Sequence, residues 1–177
     1  MIMDMKKKAA MAAAAGMIAL STLGTAVPAF AAPADFTDLV TEKQAAVTSA
    51  AAVVPSAAVL TSSTTGENAF EMEFLDPNTL QRFHVTVDRA TDKVAKVVID
   101  SSNYPGSVTV SKTEADAKAT ILQTYPDATD IVVTSVKDSS SGTPFVVYKA
   151  TFKTKEFTGT ALLNPATCLI GHQELVY

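Results

Sequence analysis

The chain has 177 residues, of which 47% are hydrophobic, 14 are basic and 18 are acidic, so that its net charge is −4 at neutral pH. This length allows one medium-sized domain or two small ones. An acidic chain lacks the basic surface that nucleic acids and anionic lipids require, so we expect neither as a partner. A basic protein or peptide is the electrostatically easier partner.

The N-terminus has the three parts of a secretory signal peptide. Lys6 to Lys8 precede an alanine-rich apolar run over residues 9–23, and an Ala-x-Ala site ends at Ala31. We expect cleavage after Ala31, a secreted or cell-envelope location and no stable membrane insertion afterwards, with an uncleaved membrane anchor as the alternative. Removing residues 1–31, which hold three lysines and one aspartate, changes the net charge from −4 to −6.

The first predicted element of the mature chain is a helix. It is expected to begin at a capping box over Thr41–Gln44 and to end before Pro55. Its apolar stripe has spacings of seven, four and three residues and consists of Val40, Val47, Ala51 and Val54. A short strand over residues 56–61 and a polar loop over residues 62–66 follow.

Two runs of alternating apolar and polar residues around a turn at residues 76–79 predict a β-hairpin. Pairing residues whose numbers sum to about 155 places apolar side chains opposite one another on one face. On the other face, this register sets Glu73 opposite Arg82 and Glu71 opposite His84. We expect a solvated face with a cross-strand salt bridge worth ~0.2–1 kcal/mol.

A second hairpin follows, with a turn at residues 88–92 and an inward face of Ala95, Val97 and Ile99 on the returning strand. Residues 100–107 are a polar linker rich in turn-forming residues. We place a domain boundary in this linker.

The second half repeats this order of elements. Its helix is capped by Ser111, or by Thr113 together with Asp116, and ends at Pro126. The strands, loop and turns that follow are predicted at residues 131–136, 138–142, 146–153, 155–156, 157–163 and 164–168, before a last strand that ends at Tyr177.

Landmarks in the two halves recur at nearly the same offset. The prolines that end the helices, Pro55 and Pro126, are 71 residues apart, and the turn threonines, Thr91 and Thr167, are 76 residues apart. We interpret the chain as a tandem repeat. The predicted fold class is α+β, with two small domains that each pack one helix on an antiparallel sheet of about four strands.

Both halves resemble the PepSY domain, which is found in propeptides of thermolysin-like metallopeptidases and in stand-alone bacterial envelope proteins. The matching segments are Gln44-Ala45, Pro55-Ser56-Ala57 and Val87 to Val94 in the first half, and Asp116-Ala117, Pro126-Asp127-Ala128 and Asn164 to Thr167 in the second. The resemblance places one copy at residues 32–102 and another at residues 103–177. It implies a cystatin-like fold in each copy and a role in restraining peptidases. The family has glycine after the turn threonine, where this chain has Asp92 and Cys168. Asp tolerates a left-handed backbone, whereas the cysteine predicts a different shape for the second turn.

The sequence lacks an H-E-x-x-H zinc motif, a G-x-S-x-G nucleophile elbow and a phosphate-binding glycine loop. Cys168 and His172 could supply two metal ligands, but a site needs three or four. Cys168 is expected to fill a partly buried turn, with a free thiol or an intermolecular bridge as alternatives. Glu71 and Glu73, exposed and opposed by Arg82, indicate a solvated face rather than acid–base catalysis. We therefore expect no catalytic, cofactor-binding or metal-binding residues and no enzyme activity.

The leading hypothesis is a secreted, non-catalytic regulatory or interaction protein that binds, and in its stronger form inhibits, an extracytoplasmic peptidase. An exposed strand edge or the turns at Thr91 and Thr167 would meet the partner. The alternative is an envelope carrier or sensor that holds a small apolar ligand between helix and sheet, in space left by the small side chains of residues 45–52. Close packing of those alanines on the sheet would leave no such space.

Overall fold

The computed structural model describes residues 34–138 and 144–177, with side chains from residue 38 onward. The predicted signal peptide with its cleavage site, and most of the serine-rich loop predicted at residues 138–142, lie outside the described residues. Residues Ala32–Tyr177 belong to one compact unit. No helix in the described ranges is long and apolar enough to cross a membrane.

The described residues form two helices and nine strands. The helices are α1 (Ala34–Ala51) and α2 (Glu114–Thr124), and α2 follows the fifth strand. The strands are β1 (Val59–Thr65), β2 (Ala69–Leu75), β3 (Arg82–Asp88), β4 (Val94–Asp100), β5 (Gly106–Ser107), β6 (Thr129–Asp138), β7 (Phe145–Lys153), β8 (Thr158–Leu163) and β9 (Ile170–Val176).

These nine strands belong to one antiparallel sheet, so the prediction of two small domains with separate four-stranded sheets is wrong. The order across the sheet is β1-β2-β3-β4-β9-β8-β7-β6, and the short β5 pairs with β7 beyond the end of β8. The last strands of the two halves, β4 and β9, pair directly with each other. Separate sheets would leave both strands as unpaired edges, whereas pairing satisfies their backbone groups. It also sets Val97, which is 1% exposed, opposite Leu175, which is 5% exposed. The boundary predicted after residue 102 falls in the connection between β4 and β5.

The core lies between the sheet and the two helices. α1 contacts β2 and β3, while α2 contacts β6 and β7. The buried sheet residues alternate along their strands and are Phe70, Met72, Phe74, Phe83, Val85, Val87, Val97, Tyr148, Ala150, Phe152, Ala161, Leu163 and Leu175. The alternation predicted for β2, β3 and β7 is therefore confirmed.

The predicted apolar stripe of α1 is correct in part, because Val47 and Val54 pack against the core whereas Val40 and Ala51 are exposed. The fully buried residues of the helix are Ala46 and Ala50, and Leu39 and Val53, which follows the helix, also pack against the core. Val40, predicted to face inward, is 62% exposed. The helix also begins at Ala34, so Thr41 lies inside it and the predicted capping box at Thr41 is wrong. Leu39, which precedes Thr41, also packs against the core. This additional apolar contact stabilises a helix that begins before Thr41.

The start of α2 confirms one of the two predicted caps. Thr113 is the N-cap, and its hydroxyl accepts a hydrogen bond from the N–H of Asp116 at 3.2 Å. The Asp116 carboxylate accepts the N–H of Thr113 at 2.8 Å in return. These bonds satisfy N–H groups that the first helical turn leaves free. The backbone and side-chain hydrogen bonds from Thr113 also lower the pKa of Asp116.

The turns that precede β4 and β9 have the same geometry. The N–H of Asp92 donates to the Asp88 carbonyl at 2.9 Å, and that of Cys168 donates to the Asn164 carbonyl at 2.7 Å. Asp92 and Cys168 are both left-handed, with φ of 54° and 58°. The prediction that Cys168 gives the second turn a different shape is therefore wrong.

The turn between β2 and β3 repeats this geometry a third time. The N–H of Leu80 donates to the Asp76 carbonyl at 2.8 Å, and Leu80 is left-handed with φ of 58°. In each turn the first side chain accepts the N–H two residues on, as in an Asx turn. The three sequences are Asp-Pro-Asn-Thr-Leu, Asp-Arg-Ala-Thr-Asp and Asn-Pro-Ala-Thr-Cys. An Asx-x-x-Thr-x pattern thus marks all three turns.

Replacing Tyr125 by phenylalanine is expected to destabilise the protein, because it removes a hydrogen bond between the end of α2 and β9. The Tyr125 hydroxyl donates to the side-chain oxygen of Gln173 at 2.5 Å, and Gln173 is 7% exposed. Without this donor a buried acceptor is unsatisfied, so the variant should lose ~1–3 kcal/mol of unfolding free energy at neutral pH. Urea denaturation measures this loss, and Tyr104→Phe, at a residue that is 63% exposed, is the control.

The same variant tests a pH dependence. Burial raises the pKa of Tyr125 from 10.0 to about 12, with the nearby Tyr177 as the smaller cause. The folded state favours the neutral phenol, so its stabilisation is complete below about pH 10 and is lost as pH rises towards about 12. The difference in stability between wild type and Tyr125→Phe should therefore narrow over that range. A constant difference would contradict the buried hydrogen bond.

Candidate functional site

The face of the sheet opposite the helices carries most of the charged side chains that the sequence singles out. Cross-strand neighbours on this open face form rows that run from one edge of the sheet to the other. The row through the middle of the sheet consists of Val59, Leu75, Arg82, Asp100, His172, Leu162, Lys149 and Thr134. The two halves meet in this row between Asp100 and His172.

The polar face of the first hairpin is the predicted one, but its register differs by two residues. Glu73 faces His84, and Glu71 faces Thr86, whose hydroxyl donates to the Glu71 carboxylate at 2.9 Å. The predicted ion pair between Glu73 and Arg82 exists along a diagonal, with 3.7 Å between Oε1 and Nη1. The turn was predicted at residues 76–79, but it also includes Leu80, which has a left-handed backbone. Because the turn is longer than predicted, the register of the two strands shifts. The paired carboxylates remain on a solvated face.

Both histidines of the chain lie beside one carboxylate, that of Asp100. His172 Nδ1 is 2.7 Å from Asp100 Oδ1, and His84 Nε2 is 3.9 Å from Asp100 Oδ2. The side chains of Asp100 and His84 are both 46% exposed, and that of His172 is 34% exposed. The sequence alone gives no signal for this cluster, because β4 and β9 bring its members together.

The linker between β4 and β5 crosses directly over Gly171 of β9. The Ser101 hydroxyl donates to the Ile170 carbonyl at 2.8 Å, and the Asn164 amide donates to the carbonyls of Tyr104 and Gly106, both at 2.9 Å. These bonds hold the linker against the turn between β8 and β9. The linker was predicted to be a polar connection, but its fixed path also builds one wall of a cleft.

This cleft opens on the open face and has a volume of about 490 Å³. Its walls are residues 101–105, Leu162 and Gly171, together with Asp100 and His172. It therefore combines a carboxylate and a histidine with the aliphatic side chain of Leu162 and the exposed ring of Tyr104. Such a mixture suits a ligand with a polar head and an apolar stem.

Cys168 and His172 do not form a pair. Cys168 is buried in its turn, 6% exposed, near the start of α2, whereas His172 is on the open face. The predicted role of Cys168, to fill a buried turn, is confirmed. Burial raises the pKa of its thiol, with Asp116 adding to the effect, which favours the less reactive thiol form. The described residues contain no group of three or more possible metal ligands in suitable positions.

The small residues of α1 pack closely on the sheet. Ala46 and Ala50 are both 0% exposed. A groove of about 620 Å³ lies at the end of the helix, beside the Thr91 turn, and Val53 and Tyr177 contribute to its lining. Thr91 itself donates its hydroxyl to Asp88 at 2.9 Å and shapes the turn. The carrier hypothesis stays a prediction.

The two outer strands, β1 and β6, have free edges within the part of the chain that the structure describes. β1 is interrupted by a bulge between Leu60 and Ser62. β6 is ten residues long, and its irregularity lies at its start, between Thr129 and Val132. The remainder of β6 is the longer regular edge.

No protein-family model, no curated protein and no solved structure matches the chain.

Proposed function

We propose that this chain is an exported, non-catalytic interaction protein that binds an extracytoplasmic peptidase by adding a strand of the partner to β6. The observation that carries the proposal is the free edge of β6. Backbone N–H and C=O groups along an unpaired edge can accept an extended segment of another protein.

The middle of β6 suits this kind of contact. Residues 132–136 contain three valines, a threonine and a serine, with no charge and no proline. Val132 is 56% exposed and Val136 is 43% exposed. Charged side chains and prolines are the usual protection of natural edge strands, and here Asp130 and Lys137 lie only at the two ends of the segment.

The choice of partner rests on two features of the sequence. The predicted signal peptide at residues 1–31 would direct the chain out of the cytoplasm. An exported chain would meet secreted or envelope peptidases. The resemblance of residues 32–102 and 103–177 to PepSY modules of metallopeptidase propeptides supports a peptidase as the partner.

Capture from culture supernatant tests the proposal. The full chain with a C-terminal tag should retain a peptidase, and the mixture should be assayed against peptidases of several classes. Val132→Lys and Val136→Lys place charges on the edge strand and should reduce capture by about tenfold or more, because lysines on an edge strand disfavour the pairing of another strand. Val40→Lys, on an exposed position of α1, is the matched control and should behave as wild type.

Circular dichroism should show the same fold for all four proteins. Two results would count against the proposal. One is wild-type protein that neither captures nor inhibits any peptidase, and the other is capture that both β6 variants leave unchanged.

A further inference from the structure

The cleft beside Asp100 has an unusual charge environment. In the other open-face ion pairs of the described residues, a lysine or arginine neutralises the carboxylate. These pairs are Glu73–Arg82 at 3.7 Å, Glu174–Lys96 at 3.0 Å and Asp130–Lys153 at 3.1 Å. Among the described residues, the ion-pair partners of Asp100 within 4 Å are both histidines, which carry a positive charge only when protonated. Arg82, the cross-strand neighbour of Asp100, has Glu73 as its ion-pair partner, so no lysine or arginine is paired with the Asp100 carboxylate.

The carboxylate also has room for a further hydrogen bond. An ionised carboxylate has two oxygens and about four acceptor positions. His172 occupies one position on Oδ1 at 2.7 Å, while His84 is 3.9 Å from Oδ2, too far for a hydrogen bond. With 46% of the Asp100 side chain exposed, a ligand can reach Oδ2.

We propose that this cleft binds one arginine or lysine side chain of the protein partner, with Asp100 as its counter-ion. The inference rests on the proposed function. A guanidinium or ammonium group would bond to Asp100, and its apolar stem would lie along Leu162 and the ring of Tyr104. Arginine stacks on aromatic rings and bonds carboxylates with two N–H groups, so it is the better fit. The chain's net charge of −4 favours a basic partner.

The same histidines make this binding depend on pH. With both imidazoles neutral, these three side chains carry only the charge of Asp100. When both are protonated, the cluster becomes net positive and repels a basic side chain. The other charged groups around the cluster are Glu73 on β2, Arg82 on β3, Lys96 on β4, Lys149 on β7 and Glu174 on β9. Between pH 5 and 8 histidine is the side chain whose charge ordinarily changes.

Fluorescence anisotropy with two labelled peptides tests the proposal. One peptide is neutral apart from a single arginine, and the other has citrulline, which keeps the shape but lacks the charge. At about pH 7.5 the full chain should bind the arginine peptide about tenfold more tightly, and at about pH 5.5 the difference should vanish. Ionic strength is held constant throughout.

Three variants identify the groups responsible. Asp100→Asn should remove the preference for arginine at both pH values. Glu71→Gln, a carboxylate on the same face but outside the cleft, should leave it intact. His84→Gln combined with His172→Gln should retain the preference at the lower pH, which a merely structural role of the histidines would not produce.

The proposal is overturned if both peptides bind equally at neutral pH, or if the double histidine variant keeps the wild-type pH dependence. It is also overturned if free arginine binds as tightly as the peptide, because the cleft would then hold a free cation rather than a partner's side chain. Peptidase capture that depends on β6 without any arginine preference would leave the proposed function standing and remove only this inference.

Discussion

Replacing Phe70 by alanine is expected to lower the free energy of unfolding by ~3–5 kcal/mol. Phe70 lies on β2 with 0% exposure, and its ring packs under the guanidinium of Arg89 at 5.3 Å from the ring centroid. The cavity would sit between α1 and the sheet, where the small side chains of the helix leave nothing to fill it. Because the two halves share one sheet, the loss should reach both halves in a single transition.

The distribution of tyrosines allows unfolding of the second half to be compared with unfolding of the whole chain. The chain has 4 tyrosines and no tryptophan, and all four tyrosines lie after residue 103. Tyrosine fluorescence therefore reports on the second half, whereas far-UV circular dichroism reports on the whole chain. In urea, both signals of Phe70→Ala should move together to lower denaturant. Val40→Ala, at an exposed position, should stay within about 0.5 kcal/mol of wild type.

A tyrosine transition that remains at the wild-type midpoint while circular dichroism shows two steps would contradict this expectation. It would mean that the halves unfold separately in spite of the pairing of β4 with β9.

Gly171→Ala is expected to destabilise the second half, because the added Cβ would clash with the linker between β4 and β5. An added Cβ at this position would lie 2.5 Å from the carbonyl oxygen of Asn103 and 2.8 Å from the ring of Pro105. Neither is the end of a flexible side chain, so the linker or β9 must move. Overpacking of this kind costs ~1–3 kcal/mol.

Urea denaturation measures the cost, and the arginine-peptide assay measures whether the cleft survives. The variant should bind the peptide more weakly, because the linker forms one wall of the cleft. Ser102→Ala, at an exposed position of the same linker, is the control for stability. Wild-type stability in Gly171→Ala would show that the linker does not lie on β9 as described.

Local patterns in the sequence were sufficient for much of the fold. Alternation identified the buried faces of β2, β3 and β7, and the Thr113–Asp116 pair marked the start of α2, because each depends on residues close together in the chain. The register of the first hairpin was not predictable in this way. It depends on Leu80 adopting a left-handed backbone, which is uncommon for a leucine.

The single nine-stranded sheet and the candidate site could not be predicted from the sequence, and the reason is the same for both. Both depend on β4 pairing with β9, and the partners Asp100 and His172 are 72 residues apart. Hydrophobic periodicity shows which side of a strand is buried but not which distant strand lies beside it. A lone aspartate before a polar linker therefore gave no reason to expect two histidines around it.

The pairing of β4 with β9 also has a local symmetry. The 76-residue offset between the turn threonines maps Val98 onto Glu174, and these two residues pair with each other. A pair that maps onto itself marks a local two-fold axis, as at the interface of a symmetric homodimer. If both halves had the sequence of β4, Asp100 would face Lys96 on both sides of this axis. In this chain the position equivalent to Lys96 is His172, and the position equivalent to Asp100 is Val176. The two sides therefore differ, because Asp100 faces a histidine on one side while Lys96 faces a valine on the other.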